Sequence, residues 1–321
     1  MLRHPLRRVW SAGVTARCIY LLEVSVGQPR IAIIGGSGLG QAFAGEVGGE
    51  QVNIETPYGP TSGPILLTRW QGVDLAFLSR HGPGHLLNPS LVPYRANIYA
   101  LKKLGITHVL ASGATGSLRE EIAPRHLVVC DQVIDKTTRR EGTFFDRGIV
   151  AHVEFADPFC PALRALLVEA GSSVNTTVHS HGTYVCMEGP PFSTKAESQM
   201  HRQWGGDLIG MTCLPEAKLA REAELCYALI ALPTDYDCWK PHEPGCDRQA
   251  LLSEIIGHLQ AATQQAIELL RVAVPRLAGQ LDRPCACRES LALAIWSDKG
   301  QVETATIERL RPIAGRYFPG R

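Results

Sequence analysis

The 321-residue chain has no apolar run approaching the roughly 20 residues that a membrane-spanning helix needs, and its 32 lysines and arginines nearly balance 31 acids. The first absence argues against a helical membrane protein. A formal net charge of +1 leaves no basic field for nucleic acid. Neither the G-x-G-x-x-G spacing of dinucleotide sites nor the G-x-x-x-x-G-K-[ST] of P-loops occurs, and no internal repeat or low-complexity tract stands out. What is present, 45% hydrophobic and 20% charged residues, is enough to bury a sizeable core. The class left standing is a globular enzyme acting on small molecules.

Ten cysteines are scattered along the chain, several inside apolar runs, which is the pattern of reduced core thiols and of a cytoplasmic protein. Cys285 and Cys287 differ: they form a C-x-C pair behind Pro284, and a disulfide between them would close a small, strained, easily reduced ring. A plain surface loop is expected there, with a redox or stapling role as the alternative. Residues 1–29 carry four arginines and no acid before Glu23, a faint likeness to a transit peptide. Their apolar part, CIYLLEV, is too short and too interrupted for a secretory signal, so residues 1–29 are expected to be a poorly ordered extension of a cytoplasmic protein.

From Ile31 the chain alternates short apolar runs with helical patterns, the grammar of an α/β fold. IAII, PILLT, VDLAFL, THVLAS, HLVVCDQVI, TVHSHGTYVCM, DLIGM and CYALIAL read as strands. YRANIYALKKLG and residues 160–170, 194–204, 215–224 and 249–274 read as helices. Thr194 with Glu197 matches a capping box, and Pro215 suits a first helical position. Expected is one domain, a twisted mixed sheet flanked by helices over residues 30–274. Residues 275–321 form a tail with a weak helix over 302–313.

Ligands in α/β sheets sit where strands end, and four such junctions are rich in chemistry. In IIGGSGLG, Ser37 and nearby backbone N–H groups could face an anion, although a tight turn without a ligand is equally consistent. In FLSRHGPGH, the fork of Arg80 suits a phosphate and His81 adds a donor. A metal held by His81 and His85 would need a helix that Gly82, Pro83 and Gly84 oppose. The small residues of ASGATGSL, in a turn after the strand, let backbone approach a ligand or make only a turn, and in IGMTCLPEAKLA a hydroxyl at Thr212 and a thioether at Met211 stand between strand and helix. In LPTDYDCW, an extended chain would point Asp235 and Asp237 to the same side, where they address one ligand edge or else are solvated loop acids.

Taken in order, GGSGL, SRHGPGH, YRANIYALKKLG, GATGSLREEI, EGPPFSTKAES, IGMTCLPEAKLAREAELCYA and TDYDCW closely resemble the methylthioadenosine phosphorylases of the purine nucleoside phosphorylase family. The resemblance covers about residues 31–270. It implies an α/β domain assembled as a homotrimer, with sites near subunit interfaces. The implied reaction is phosphorolysis of S-methyl-5'-thioadenosine to adenine and 5-methylthioribose 1-phosphate. Inorganic phosphate is a co-substrate, and neither a metal nor an organic cofactor is expected.

Carried over by position, the resemblance puts phosphate against Ser37, Arg80, His81, the backbone of Gly113 and Ala114, and Thr212. It puts Met211 against the ribose, Phe192 against the adenine face, and His152 at a neighbouring subunit's methylthio pocket. Asp235 and Asp237 would receive the exocyclic amine and the imidazole edge, with Asp235 as general acid, its pKa raised by burial and by Asp237. Ser193 and Asp235 stand where phosphorylases for 6-oxo purines usually have glutamate and asparagine, which favours a 6-amino purine. Gly210 and Pro191 depart from the asparagine and arginine of the animal enzymes, and residues 241–249, expected near the 5' substituent, do not align cleanly. The rivals are a phosphorylase for methylthioinosine or ordinary purine nucleosides, a nucleosidase using water, and a non-catalytic nucleoside-binding protein.

Overall fold

The sequence IAIIG, apolar throughout, forms strand β1 (Ile31–Gly35), buried at every position as a central parallel strand should be. A computed structural model describes residues 27–241 and 247–320, so the expectation for residues 1–29 falls almost wholly outside the described residues. The further strands are β2 (Glu50–Val52), β3 (Ile65–Trp70), β4 (Val73–Ser79), β5 (His108–Ser117), β6 (Leu127–Val129), β7 (Gln132–Lys136), β8 (Val178–His179), β9 (Thr183–Met187), β10 (Leu208–Gly210) and β11 (Cys226–Asp235). The helices are α1 (Leu39–Glu46), α2 (Tyr94–Lys103), α3 (Pro161–Gly171), α4 (Lys195–Gln203), α5 (Glu216–Glu222), α6 (Arg248–Ala278), α7 (Thr304–Arg309) and α8 (Arg311–Ala314).

The sheet is mixed, in the order β2-β3-β4-β1-β5-β10-β9-β7, with β11 and then β6 and β8 attached beside β5. Side chains along β11 alternate between two cores. Tyr227, Leu229 and Ala231 join α2 and α5 on one face, while Cys226, Ala228, Ile230 and Leu232 join α1, α3 and α6 on the other. Each fully buried large apolar side chain of this kind contributes about 1.5–3 kcal/mol.

β5 organises the centre. Its first residues pair in parallel with β1 as far as Ala111, but on that same edge Gly116 and Ser117 pair antiparallel with β10. Between Ala111 and Gly116 one neighbour has left and the next has not arrived. Such a change of partner opens a crevice where α/β sheets bind ligands.

Several expectations are corrected. GATGS is not a turn after a strand; it continues β5, because small residues fit between β10 and β11 where larger ones would clash. HLVVCDQVI splits into β6 and β7, and TVHSHGTYVCM into β8 and β9. α1 follows directly on the glycine turn, where no helix was expected. α6 runs through Pro275 to Ala278, since a single missing donor near the last turn does not stop a 31-residue helix. Its apolar stripe is buried only in its later turns, for Leu252 and Ile256 are exposed. Residues 275–320 pack firmly, with Leu291, Val302, Ile307, Leu310, Ile313 and Phe318 buried in the α2–α5 core, and the weak helix is two short ones, α7 and α8. α4 starts with the expected capping box, Thr194 and Glu197 bonding reciprocally.

Candidate active site

The glycine turn after β1, the end of β4 and the open stretch of β5 meet at one point. A Cβ at Gly36 would lie 2.7 Å from the Ser112 carbonyl oxygen, 2.8 Å from Arg80 Nη1 and 3.2 Å from Gly113 Cα, so only glycine allows this approach. A Cβ at Gly113 would in turn touch Thr212 Oγ1 at 3.4 Å. Gly36, Arg80, Gly113 and Thr212 thus share a corner, with half-buried Ser37 on the adjoining turn and Ala114 next along β5.

Arg80 is fully buried, and its fork is already occupied. Nε and Nη2 donate to the two carboxylate oxygens of Glu216 at 2.7 Å each, and Nη1 donates to the Ser112 carbonyl at 2.7 Å. Burial acts to lower its pKa, but the charge and hydrogen bonds of Glu216 more than reverse this and keep it protonated. Of the five N–H donors of a guanidinium, two remain for an anion, so Arg80 offers an edge rather than the fork. Tyr227 Oη donates to Glu216 Oε1 at 2.8 Å and fixes the pair from below.

His81 also differs from expectation. Its Nδ1 bonds the Leu87 carbonyl at 2.7 Å, and a carbonyl only accepts, so Nδ1 carries the proton. Burial, then the charge of Arg80, pushes its pKa down to about 4. At neutral pH His81 is therefore uncharged, and Nε2 is an acceptor, suited to the P–OH of hydrogen phosphate rather than to a bare oxyanion. A 3-10 turn over Pro83–His85 stacks the His81 and His85 rings at 4.2 Å, closer than the glycines and proline suggest, with Gly82 and Gly84 both at φ 70°.

About one strand-width away, β11 ends in a register shift between Pro233 and Asp235, and Asp237 adopts a left-handed φ of 50°. The two acids come together through this bulge and turn, not along an extended chain. Both border Gly116, where a Cβ would stand 3.2 Å from Asp235 Oδ1 and 3.2 Å from Asp237 Cβ. Asp235 accepts from the Asp237 N–H and from Thr234 Oγ1, both at 2.7 Å. Burial first, and then the charge of Asp235, raise the pKa of the Asp237 carboxyl, with Ser198 and Ser193 partly offsetting. Asp237 Oδ2 is covered by protein, while the residue as a whole is half-buried.

Other expected residues lie around this edge. Half-buried Met211 abuts Gly189, where a Cβ would meet its sulfur at 2.5 Å, and Ser193 packs beside Cys238, whose Sγ donates to the Ser193 carbonyl at 3.3 Å. Phe192 is 85% exposed. His152 is on the surface, edge-on to Trp296 at 5.0 Å and away from the crevice residues. Gly210 has a local explanation: a Cβ there would meet the Tyr184 hydroxyl at 2.0 Å, and that hydroxyl accepts from the Thr212 N–H at 3.3 Å. Tyr184 fills the space that a larger residue would need. Residues 242–246, part of the segment expected at the 5' end, lie outside the described residues.

Three supporting residues escaped sequence reasoning: Glu216, Arg140 and Glu188. Arg140 reaches from the loop after β7 and donates to the carbonyls of Met211 at 2.5 Å, Leu214 at 2.6 Å and Glu188 at 2.7 Å, fixing the segment that carries Thr212. Burial acts to raise the pKa of Glu188, but Ser90, the backbone amides of Thr138 and Arg139, and Arg140 hold it down to about 2. The one signal available was that Glu188 is a lone charge in the otherwise uncharged stretch TYVCMEGPPFST.

An anion corner beside a carboxyl pair, at a strand-partner change, sets donors for a small anion next to groups that can move a proton. The chain belongs to the phosphorylase superfamily, whose family model matches residues 30–274. It is similar to the S-methyl-5'-thioadenosine phosphorylase of Geobacter sulfurreducens, 48% identical over 288 residues that cover 89% of this chain and 98% of that protein. The corresponding protein of Aspergillus fumigatus is 45% identical, covering 85% of this chain and 82% of its own length. Among solved structures, a methylthioadenosine phosphorylase from an antarctic soil metagenomic library superposes with a TM-score of 0.82 at 44% identity, over 89% of this chain and 98% of that one. The methylthioadenosine phosphorylase from Schistosoma mansoni in complex with adenine gives 0.76 at 34% identity, over 84% and 99%.

Proposed function

We propose that the chain catalyses phosphorolysis of S-methyl-5'-thioadenosine to adenine and 5-methylthioribose 1-phosphate, and that the observation carrying this is the shared crevice of Arg80, Gly113 and Thr212 with Asp235 and Asp237. Phosphate sits on the two free N–H donors of Arg80, the Thr212 hydroxyl, Ser37 and the backbone of Gly113 and Ala114, with its own P–OH donated to His81. As the bond between the anomeric carbon and N9 breaks, positive charge grows on the sugar and negative charge on the purine. The phosphate dianion stabilises the first and then forms the new C–O bond. The electron pair of the broken bond stays on the purine, which takes one proton from the carboxyl pair. Asp235 and Asp237 both address the purine's amine and imidazole edge, with Asp235 as the general acid. Asp237, whose pKa burial raises, supports that proton on the purine edge.

The 6-amino purine is favoured because Asp235 already accepts from two donors and so presents an acceptor to an amine. At the other end, Leu252 and Ile256 share a helical face with Leu259 and Thr263, which pack on Gly38 beside the phosphate turn. An exposed apolar face there suits a methylthio group better than a hydroxyl. The same reading includes a catalytic unit of residues 30–274 extended by a packed tail, no metal or organic cofactor in the reaction, a cytoplasmic location and a homotrimer. Exposed Leu86, Leu91 and Phe192, and separately Val150, Leu293 and Trp296 beside His152, support subunit contacts. Among the described residues no helix is long and apolar enough to cross a membrane.

The test is a panel of methylthioadenosine, adenosine, methylthioinosine and inosine, each with and without phosphate. Turnover should require phosphate and be greatest on methylthioadenosine. Equal turnover in water alone would make the protein a nucleosidase, and preference for the 6-oxo substrates would overturn the role given to Asp235.

A further inference from the structure

At the end of β11 opposite to Asp235, four cysteines from three distant parts of the chain converge. Cys226 opens β11, Cys160 caps α3, and Cys285 and Cys287 come from the tail, either side of Ala286. Their four sulfur atoms all lie within 4.8 Å of one another, and Cys160 Sγ stands 3.6 Å from Cys285 Sγ. All four are free thiols, three of them buried and Cys285 partly exposed. The backbone around them is pinned: Cys160 N–H donates to the Tyr227 carbonyl at 2.8 Å, Cys226 N–H to Thr107 at 2.9 Å, and Arg288 N–H to Cys285 at 3.0 Å.

We propose that Cys160, Cys226, Cys285 and Cys287 form a tetrahedral site for a thiophilic divalent cation, zinc by its chemistry. Zinc–thiolate bonds of about 2.3 Å in a tetrahedron put neighbouring sulfurs about 3.8 Å apart, and the observed spacing closes on this with small rotations of the side chains. Four protein ligands leave no open position, which is the mark of a structural rather than a catalytic zinc. Position agrees. Along a ten-residue strand the cluster lies about 30 Å from Asp235, too far to take part in the reaction. The ion would tie the tail to the start of β11 and to α3, and each thiol would give up its proton as it binds. Cys285 and Cys287 lie beyond the residues that the family model matches, so half of the ligand set comes from the tail. The C-x-C pair is then neither a plain loop nor a strained disulfide but half of a ligand set.

The test uses the full chain, expressed with zinc and purified under reducing conditions. Elemental analysis should find one zinc per chain in the wild type and background levels in the Cys285→Ser/Cys287→Ser variant. Chelation should lower the thermal midpoint of the wild type and leave turnover at moderate temperature unchanged. Titration of metal-free wild-type chain with cobalt(II) should give the thiolate charge-transfer and intense visible bands of tetrahedral sulfur coordination, a readout that stands even if the variant does not fold. Absence of both bound zinc and those cobalt bands would overturn the site. So would disulfides among these four cysteines in the zinc-replete, reduced protein, seen by peptide mass mapping.

Discussion

The two halves of the crevice are built differently. The anion corner is closed and finished: Arg80 and Glu216 are both fully buried, their hydrogen bonds are made, and Arg140 holds the neighbouring segment through three carbonyls. The purine edge is unfinished. Phe192 stands in solvent, and the carboxyl pair sits on a bulge and a left-handed turn. A small anion of fixed shape can be met by donors set in advance, which do not have to reorganise during the reaction. A larger substrate with a departing base needs an edge that closes on it. The corner is also nearly neutral, since Glu216 cancels Arg80 and His81 is uncharged. It therefore selects phosphate by directed donors rather than by net charge.

The largest expected effect breaks the finished half. Arg80→Ala should lower kcat/KM by about 10³-fold or more, the order seen on loss of a preorganised charge contact. It should also destabilise the fold by about 3–5 kcal/mol, because Glu216 is left as an unpaired buried charge. The double variant Arg80→Ala/Glu216→Gln separates the two consequences, and chemical denaturation should show most of the stability restored while turnover stays lost. Recovery of turnover in the double variant would mean that Arg80 acts only as Glu216's partner.

Next comes the carboxyl pair. Asp235→Asn should cost roughly 10²-fold in kcat, as for a lost general acid. Asp237→Asn should cost about tenfold and, more tellingly, shift the alkaline limb of the kcat profile, since Asp237, whose pKa burial raises, supports the proton on the purine edge. If the two variants exchange these behaviours, Asp237 is the general acid.

A smaller effect belongs to the open edge. Phe192→Ala should raise KM for the nucleoside about tenfold, in line with roughly 1–3 kcal/mol for stacking a base on an aromatic ring, with kcat and the KM for phosphate little changed. A matching rise in the KM for phosphate would show that the two halves are coupled through closure and not independent.

The same contrast decides what could be read in the sequence. Runs such as IAIIG and CYALIALPTD announce buried strands, and glycines at 36 and 113 announce close approach, because those signals are local. Glu216 was silent: beside Pro215 it reads as an ordinary acid in the first turn of a helix, and only folding brings it to Arg80, 136 residues away. GATGS was misread because smallness signals both a turn and a tightly flanked strand, and only β10 and β11 distinguish the two. Which of Asp235 and Asp237 is covered depends on a register shift and a positive φ that no residue type there demands. The four-cysteine cluster was half visible as C-x-C, but its other half lies on β11 and α3, far off in the chain.

The smallest expected effect is on stability, and it has opposite signs in the two halves. His81 has a folded pKa of about 4 against an ordinary 6.5, so between these values the unfolded chain binds a proton that the folded chain refuses. Its contribution is complete above pH 6.5 and is lost as the pH falls towards 4. Asp237 has its pKa raised, so the folded chain holds its proton longer, and its contribution is present at low pH and lost as the pH rises above 3.8 through the raised value. Denaturation midpoints measured from pH 4 to 7 should therefore rise less steeply with pH for His81→Asn than for the wild type, and more steeply for Asp237→Asn. Parallel slopes in all three proteins would show that neither half stores protonation energy in the fold, and the difference between a finished corner and an unfinished edge would then rest on hydrogen bonding alone.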